Sequence, residues 1–137
     1  MAKQRLTTDE IKNEMFLRTD REGRNFWHIA SFRGDVDVMQ RLWELAKERL
    51  TTEEIKNEMF LRTDREGRNV WHIASFRGDV DVMQRLWELA KERLTTEEIK
   101  NEMFLRTDNE GRNAWYIAAN RTKLDAMQKT WDLAKRD

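Results

Sequence analysis

The sequence predicts an all-α fold in which three repeat units stack on one another, with little or no strand. A unit of 44 residues begins at Leu6 and returns at Leu50 and Leu94, and self-similarity at a fixed period of this size is typical of repeat architectures. Within each unit, apolar residues recur at three- and four-residue spacing, which indicates amphipathic helices. The 137 residues contain no proline, so nothing in the chain forces a helix to break.

The units occupy residues 6–49, 50–93 and 94–137, after an N-terminal tail of residues 1–5. Units 1 and 2 differ at only two aligned positions, where unit 1 has Asp9 and Phe26 and unit 2 has Glu53 and Val70. Unit 3 is more divergent. Because one unit cannot bury its apolar faces alone, we expect residues 1–137 to form a single repeat domain. Such similarity between units indicates recent duplication or deliberate idealisation, and we favour idealisation.

The first helix of each unit begins at a recognisable cap. In unit 2, Thr51 is the predicted N-cap, and Glu54 follows three residues later, as in a capping box. We expect this helix to continue to about Leu61. Its apolar face is predicted to consist of Ile55, Met59 and Phe60.

The second helix of each unit is short and lies between two glycines. In the polar run before it, Gly67 is a predicted turn residue with positive φ. Asn69 is the predicted N-cap of a helix over residues 70–77, and Gly78 is the predicted left-handed stop.

The third helix is predicted to start after the cap residue Asp79 and to run from Val80 to about Glu92. Each unit contains two of the six tryptophans, which are Trp27 and Trp43 in unit 1. Because this repetition follows the helices, we predict that all six belong to the core rather than to a ligand-binding site.

The segment Asp64–Ala74, followed by Gly78 and the acidic–apolar helix after it, resembles the ankyrin repeat, whose pattern is D-x-x-G-x-T-P-L-H-x-A. The resemblance covers Asp64 to Ala90 of unit 2. An ankyrin unit has about 33 residues, so the Leu-Thr-Thr-Glu-Glu helix lengthens the unit by about eleven.

This chain departs from the family pattern at several positions. Asn69 stands where threonine is usual, and valine and tryptophan follow it where proline and leucine are usual. In unit 3 the histidine of the pattern is replaced by Tyr116 and the second glycine by Thr122.

The resemblance implies a solenoid of three stacked, extended ankyrin-like repeats that acts as a non-catalytic scaffold for protein–protein interaction. In that family, the loop tips and the inward-facing short helix contact the partner. Carried onto this sequence, the contact positions are Arg21, Glu22, Arg24, Phe32 and Arg33 in unit 1, Arg65, Glu66, Arg68, Phe76 and Arg77 in unit 2, and Asn109, Glu110, Arg112, Asn120 and Arg121 in unit 3.

The two histidines, His28 and His72, are predicted to be structural, because unit 3 lacks one and the family histidine bonds backbone between neighbouring repeats. The chain has no cysteine and no metal-binding spacing such as H-E-x-x-H, so we expect neither a metal nor a cofactor.

Two sets of contact positions have alternative interpretations. Phe32 and Phe76 are either exposed aromatics that bind a partner or residues that pack on the next unit. Unit 3 has Asn120 at this position and Thr130 where units 1 and 2 have leucine, as expected of a terminal cap. The arginines that recur in each unit, at positions 21, 24 and 33 of unit 1, either bind phosphate or acidic partners or form a solvated surface paired with neighbouring carboxylates, and we favour the paired surface.

Lysine plus arginine equals aspartate plus glutamate, at 26 each, so we expect no binding to nucleic acid or to a membrane surface. No signal peptide or membrane-spanning run is evident, and we expect cytoplasmic folding. Because the first unit lacks the polar substitutions of a cap, weak end-to-end self-association is a further hypothesis.

Three functions were compared. We favour a protein-interaction scaffold, engineered or idealised in origin, whose partner, if any, is a protein. The alternative is a designed or duplicated folding module with no natural ligand, which the identical contact residues of units 1 and 2 favour. An enzyme has no support, because no nucleophile–histidine signature or phosphate-binding glycine loop occurs.

Overall fold

The computed structural model describes residues 5–136, so residues 1–4 of the predicted tail and Asp137 lie outside the described residues. Between residues 5 and 136 every regular element is a helix and no strand occurs, which confirms the all-α prediction for this part of the chain. No helix in the same range is long and apolar enough to cross a bilayer.

Each 44-residue unit contains three helical segments, the first of which changes its winding. The α-helices are α1 (Thr8–Ile11), α2 (Phe26–Arg33), α3 (Val36–Arg49), α4 (Thr52–Glu54), α5 (Val70–Arg77), α6 (Val80–Ala90), α7 (Thr96–Glu98), α8 (Ala114–Asn120) and α9 (Leu124–Ala134). The helices α1, α4 and α7 continue without a break as the π-helices π1 (Lys12–Phe16), π2 (Ile55–Phe60) and π3 (Ile99–Phe104).

The predicted capping box at the start of α4 is present. The Glu54 backbone N–H donates to Thr51 Oγ1 at 3.1 Å, and the Thr51 backbone N–H donates to Glu54 Oε1 at 2.9 Å. The prediction of one ordinary helix to Leu61 is wrong in its winding, because the Leu61 N–H donates to the Lys56 carbonyl, five residues back. Met59, Phe60 and Leu61 are all buried in this wider turn.

The second helices have the predicted caps and stops. Asn69 Oδ1 accepts from the backbone N–H of Trp71 and His72, and Gly78 ends α5 with φ of +73°. In unit 3, Thr122 occupies the left-handed region at φ of +57° where the other units have glycine. A β-branched residue is strained there, but a side chain fits because no further unit crowds this position.

The third helices differ in length between units. Asp79 Oδ1 accepts from the Val82 N–H, as predicted for the cap of α6. However, α6 ends at Ala90 rather than at Glu92, and residues 91–93 form turns. In unit 3, Lys123 replaces the capping aspartate, and α9 begins without a side-chain cap.

Corresponding helices of successive units lie side by side. The second helices contact one another in the order α2, α5, α8, and the third helices in the order α3, α6, α9. The additional helices of units 2 and 3 pack between units, since π2 contacts α2 and π3 contacts α5. One apolar core therefore runs through all three units.

Aromatic contacts form the centre of each junction between units. The Phe60 ring of π2 lies edge-on to Trp27 and Trp43 of the preceding unit, with both pairs of ring centroids 5.7 Å apart. In the next junction, the Phe104 centroid lies 4.3 Å from that of Trp71 and 5.7 Å from that of Trp87.

The prediction that all six tryptophans are core residues is wrong for unit 3. Trp27, Trp43, Trp71 and Trp87 are buried. Trp115 and Trp131 are exposed and lie against each other with ring centroids 5.9 Å apart, because no other unit of the described residues covers them.

The interpretation of Thr130 as a surface substitution at the terminal cap is also wrong. Its side chain is buried, and its Oγ1 accepts from Trp71 Nε1 at 3.2 Å. Trp27 Nε1, which occupies the equivalent position one unit earlier, is buried without a hydrogen-bond partner among the described residues. Thr130 therefore faces unit 2 and satisfies a buried donor.

Candidate partner-binding groove

The loop before each second helix is held in shape by one aspartate. Asp64 Oδ1 accepts from the backbone N–H groups of Glu66 and Arg68 at 2.9 Å, and its Oδ2 accepts from Arg68 Nε at 3.3 Å. Asp20 and Asp108 make the same contacts in their own units. The loop therefore presents its tip in one conformation.

These contacts also favour the charged form of Asp20 and Asp108. Burial raises the pKa of Asp108. The hydrogen bonds from the backbone N–H groups of Arg112 and Glu110 and from the Arg112 guanidinium lower this pKa, and their combined effect is larger than that of burial, so the pKa lies below its ordinary value of 3.8. The pKa of Asp20 is lowered by the Arg24 backbone N–H above all.

The tips of successive loops are joined by hydrogen bonds. The Arg65 N–H donates to the Glu22 carbonyl at 2.8 Å, and Arg65 Nη1 donates to the Arg21 carbonyl at 2.7 Å. Asn109 repeats the arrangement one unit later, donating its backbone N–H to Glu66 and its Nδ2 to Arg65. The tip residues are thus partly committed to inter-unit contacts.

This close approach explains the glycine at the tip. Gly67 has φ of +80°, and a Cβ added to it would lie 2.8 Å from the Asn109 backbone nitrogen. Gly111 has nearly the same φ, but a Cβ there would meet nothing within 4 Å, because no loop follows it. Only the inner positions therefore require glycine for space as well as for conformation.

The two histidines lie between units, as predicted. His72 Nδ1 accepts from the Asn69 N–H at 3.1 Å, so Nε2 carries the proton and donates to the Arg112 carbonyl of unit 3 at 3.2 Å. His28 makes the equivalent contacts with Asn25 and Arg68. Burial lowers the pKa of both histidines below 6.5, despite the carbonyl contact that opposes it. A neutral ring is the form that satisfies both neighbours.

A groove of about 180 Å³ lies between the second helices and the loops, and we call it the inner groove. Of the predicted contact positions, those that line it are Arg24, Phe32, Arg68, Phe76, Arg112, Asn120 and Arg121. Those that do not line it are Arg21, Glu22, Arg33, Arg65, Glu66, Arg77, Asn109 and Glu110. The structure thus brings about half of the predicted positions together.

Phe32 and Phe76 combine features of both interpretations offered for them. Both side chains are exposed in the inner groove, at 46% and 37%. Each is also covered on one side by an arginine of the next unit, since the Arg77 guanidinium carbon lies 5.0 Å from the Phe32 centroid and that of Arg121 lies 4.1 Å from the Phe76 centroid. These are cation–π contacts, and they leave aromatic surface accessible.

The arginines that line the groove, and Arg77 beside it, fall into two classes. Arg24, Arg68 and Arg112 pair with the loop aspartates, as the paired-surface interpretation predicts. Within residues 5–136, however, neither Arg77 nor Arg121 lies within 4 Å of a carboxylate oxygen. The paired-surface interpretation is therefore wrong for these two, and the inner groove has a local excess of positive charge although the chain as a whole is neutral.

Further groove residues were not identified from the sequence. Ile29 and Ile73 line the inner groove three residues before the phenylalanines, and this spacing on a short helix was the available signal. None of the lining residues comes from π1, π2 or π3. The additional helix therefore separates the units and does not extend the groove. In the part of the chain that the structure describes, no group of three or more metal-ligating side chains occurs.

No family model matches the sequence, and no curated protein matches it at a significant level. Among solved structures, a chain in the crystal structure of the yeast ribosomal protein Rps3 in complex with its chaperone Yar1 is similar to this one, with a TM-score of 0.66 and 18% sequence identity. The match covers 88% of this chain and 75% of that chain. At this identity the likeness shows a shared fold and nothing further.

Proposed function

We propose that the chain is an extended ankyrin-type repeat protein, non-catalytic in itself, whose inner groove binds a segment of a protein partner. The observation that carries the proposal is that the two exposed phenylalanines of the groove, Phe32 and Phe76, are each contacted by an arginine that has no carboxylate partner among the described residues, namely Arg77 beside the groove and Arg121 in its lining. The sequence resemblance and the similar fold of a chain from a protein–protein complex support the same class of function.

The charges of the groove favour an acidic segment with apolar side chains. Carboxylates of such a segment would pair with Arg77 and Arg121, and charge-assisted pairs with arginine are among the stronger hydrogen-bonded contacts. Its apolar side chains would cover the exposed faces of Phe32 and Phe76, since aromatic and arginine side chains are enriched at binding hot spots. The cation–π contacts orient these side chains before binding, which lowers the entropic cost of ordering them.

The experiment compares two fluorescein-labelled peptides of about a dozen residues, one of alternating glutamate and leucine and the other of alternating lysine and leucine. We expect the acidic peptide to bind at least about tenfold more tightly in fluorescence anisotropy. Its affinity should fall as salt is added, because exposed charge pairs are screened.

Matched variants locate the binding site. The double variant Arg77→Gln, Arg121→Gln should weaken binding of the acidic peptide about tenfold. The control variant Arg41→Gln, Arg106→Gln removes the same charge from exposed positions outside the groove and should bind as wild type does. Equal binding of both peptides, or equal loss in both variants, would contradict the proposal. So would binding of a single-stranded oligonucleotide through Arg77 and Arg121 with no binding of the peptide.

A second candidate is a designed folding module with no ligand. Units 1 and 2 have the same residue at each predicted contact position, from Arg21 and Arg65 to Arg33 and Arg77, whereas a binder of an irregular partner gains from varied contacts. The absence of wild-type binding to either peptide would favour this candidate.

A further inference from the structure

The two ends of the stack expose apolar side chains whose counterparts in the other units are buried or partly buried. At the start of the stack, Met15 is 56% exposed, whereas its counterparts Met59 and Met103 are fully buried. Val38 and Leu45 are also exposed there, although the residues at the same positions of units 2 and 3 are buried. We call Met15, Val38 and Leu45 the leading face.

At the end of the stack, residues of unit 3 are exposed where their counterparts in the earlier units are more buried. Trp131 is 53% exposed where Trp87 is 1% exposed, and Trp115 is exposed where Trp71 is fully buried. Leu105 is likewise exposed where Leu61 is buried. We call Leu105, Trp115 and Trp131 the trailing face. The Trp115 and Trp131 rings lie against each other, and contiguous exposed apolar surface usually marks an interaction site.

The junctions inside the chain show which surface covers each face. The counterparts of the leading face are buried in the units that have a preceding unit. The tryptophan counterparts of the trailing face are buried in the units that have a following unit, whereas Leu17, a counterpart of Leu105, is partly buried there. At both junctions the tryptophans of the trailing side contact a phenylalanine of the next π-helix, as Trp27 and Trp43 contact Phe60. The leading face therefore corresponds to the side of a unit that covers the preceding unit at each junction, except that Phe16, the counterpart of Phe60, is buried against Phe26.

The polar groups at the two ends are complementary. At both junctions a loop N–H donates to the carbonyl of the preceding loop, as Arg65 does to Glu22 and Asn109 does to Glu66. At the start of the stack the equivalent donor is the Arg21 N–H, and at its end the equivalent acceptor is the Glu110 carbonyl. Neither group has a backbone partner within residues 5–136. A unit placed after unit 3 would supply the missing donor.

From these contrasts we propose that the trailing face binds the leading face of a second copy of this chain. The contact joins two different surfaces, so each new copy presents another free trailing face. Such head-to-tail association does not close and produces open chains of increasing length.

Two substitutions make this contact weaker than the junctions inside the chain. In unit 1, Phe26 replaces the smaller residue of the other units and packs edge-on against Phe16, with ring centroids 5.4 Å apart. In unit 3, Tyr116 replaces the histidine that donates across each internal junction. Separate chains also lose translational and rotational freedom on binding. The association therefore depends on concentration.

The first measurement is the weight-average mass in sedimentation equilibrium from about 10 μM to about 1 mM. We expect a value near the 16.6 kDa of one chain at the low end and a continuous rise with no plateau at the mass of a dimer. A strict monomer over the whole range would overturn the proposal.

The direction of the contact is tested by blocking one face at a time. The variant Met15→Glu, Leu45→Glu lacks the leading face, and the variant Leu105→Glu, Trp131→Glu lacks the trailing face. All four positions are exposed, so both variants should fold, which circular dichroism checks. Each variant alone should be monomeric, and a mixture of the two should form a dimer and nothing larger.

Other arrangements give different results. If identical faces paired with each other, one blocked variant would still dimerise alone and the mixture would gain nothing, which would contradict the proposal. The control Phe32→Gln removes an exposed aromatic side chain that lies in the inner groove and on neither end. It should associate as the wild type does, and a loss of association in this variant would also count against the proposal.

Discussion

The side chain of Asn69 joins two helix ends that belong to different units. Its Oδ1 caps the start of α5, and its Nδ2 donates to the carbonyl of Met103 in π3 at 3.0 Å. Asn25 makes the equivalent contact with the carbonyl of Glu58. Threonine is usual at this position in the ankyrin repeat. Its hydroxyl oxygen can cap the helix, but threonine has no amide N–H that could also donate to the carbonyl of the next unit. The asparagine is thus linked to the additional helix.

The first prediction concerns this amide. Asn69→Thr keeps a cap but leaves the buried Met103 carbonyl unpaired, which should lower the free energy of unfolding by about 1–3 kcal/mol. Asn113→Thr is the matched control, because Asn113 caps α8 but contacts no following unit, and it should change stability by only a few tenths of a kcal/mol. Urea unfolding compares the two, and equal losses would refute the inter-unit role.

The second prediction separates backbone conformation from the space between loops. Gly67→Ala and Gly111→Ala each place a side chain at positive φ, which should cost about 1–3 kcal/mol in both. Only the Cβ at residue 67 approaches the next loop, at 2.8 Å from the Asn109 nitrogen, so Gly67→Ala should be the more destabilising of the two. Thermal unfolding measures the difference. Identical shifts in Tm would contradict the prediction, because they would mean that the neighbouring loop moves away from the added Cβ without loss of stability.

The third prediction uses the two environments of one tryptophan position. Trp71 is fully buried and contacts Phe104, so Trp71→Ala should destabilise the fold by about 3–5 kcal/mol. The exposed Trp115 contacts only Trp131 among the aromatic residues described, and Trp115→Ala should cost well under half as much. If Trp115→Ala cost as much in chemical denaturation, the assignment of the last unit as uncovered would be wrong.

The fourth prediction is a dependence of stability on pH between about 7 and 5. Burial lowers the pKa of His28 and His72 in the folded chain below the ordinary value of 6.5. Above that value both states are neutral and stability is complete. As the pH falls below it, the unfolded chain binds protons that the folded chain does not, so the free energy of unfolding decreases until the folded pKa is reached.

Urea midpoints at several pH values measure this effect. The double variant His28→Gln, His72→Gln should be less sensitive to pH in the same window, because histidine is the only side chain whose ordinary pKa lies inside it. A wild-type midpoint that stays constant from pH 7 to pH 5 would show that the histidines accept a proton without cost.

The sequence predicted the features that depend on local residues. The capping box of Thr51 and Glu54, the cap at Asn69 and the left-handed stop at Gly78 each require only a few neighbouring residues, and all three are present. The structural place of His72 was also predicted, although through the family resemblance rather than from local spacing.

The features that depend on neighbouring units were predicted poorly. The contact between Arg77 and Phe32 joins residues 45 positions apart and exists only in this register of stacking. The exposure of Trp131 follows from the absence of a following unit and not from its own surroundings in the sequence. The π winding of Ile55–Phe60 likewise has no local signal, since the same residues suit an ordinary helix.

The account depends most on the claim that neighbouring units stabilise one another through shared faces. It is tested most directly by inserting a second copy of residues 50–93 after Arg93 and measuring urea unfolding of the lengthened chain. Shared faces predict one cooperative transition with a higher midpoint and a larger m-value, because the new unit adds a whole junction. An unchanged midpoint with an unchanged m-value, as for units that unfold independently, would contradict the account.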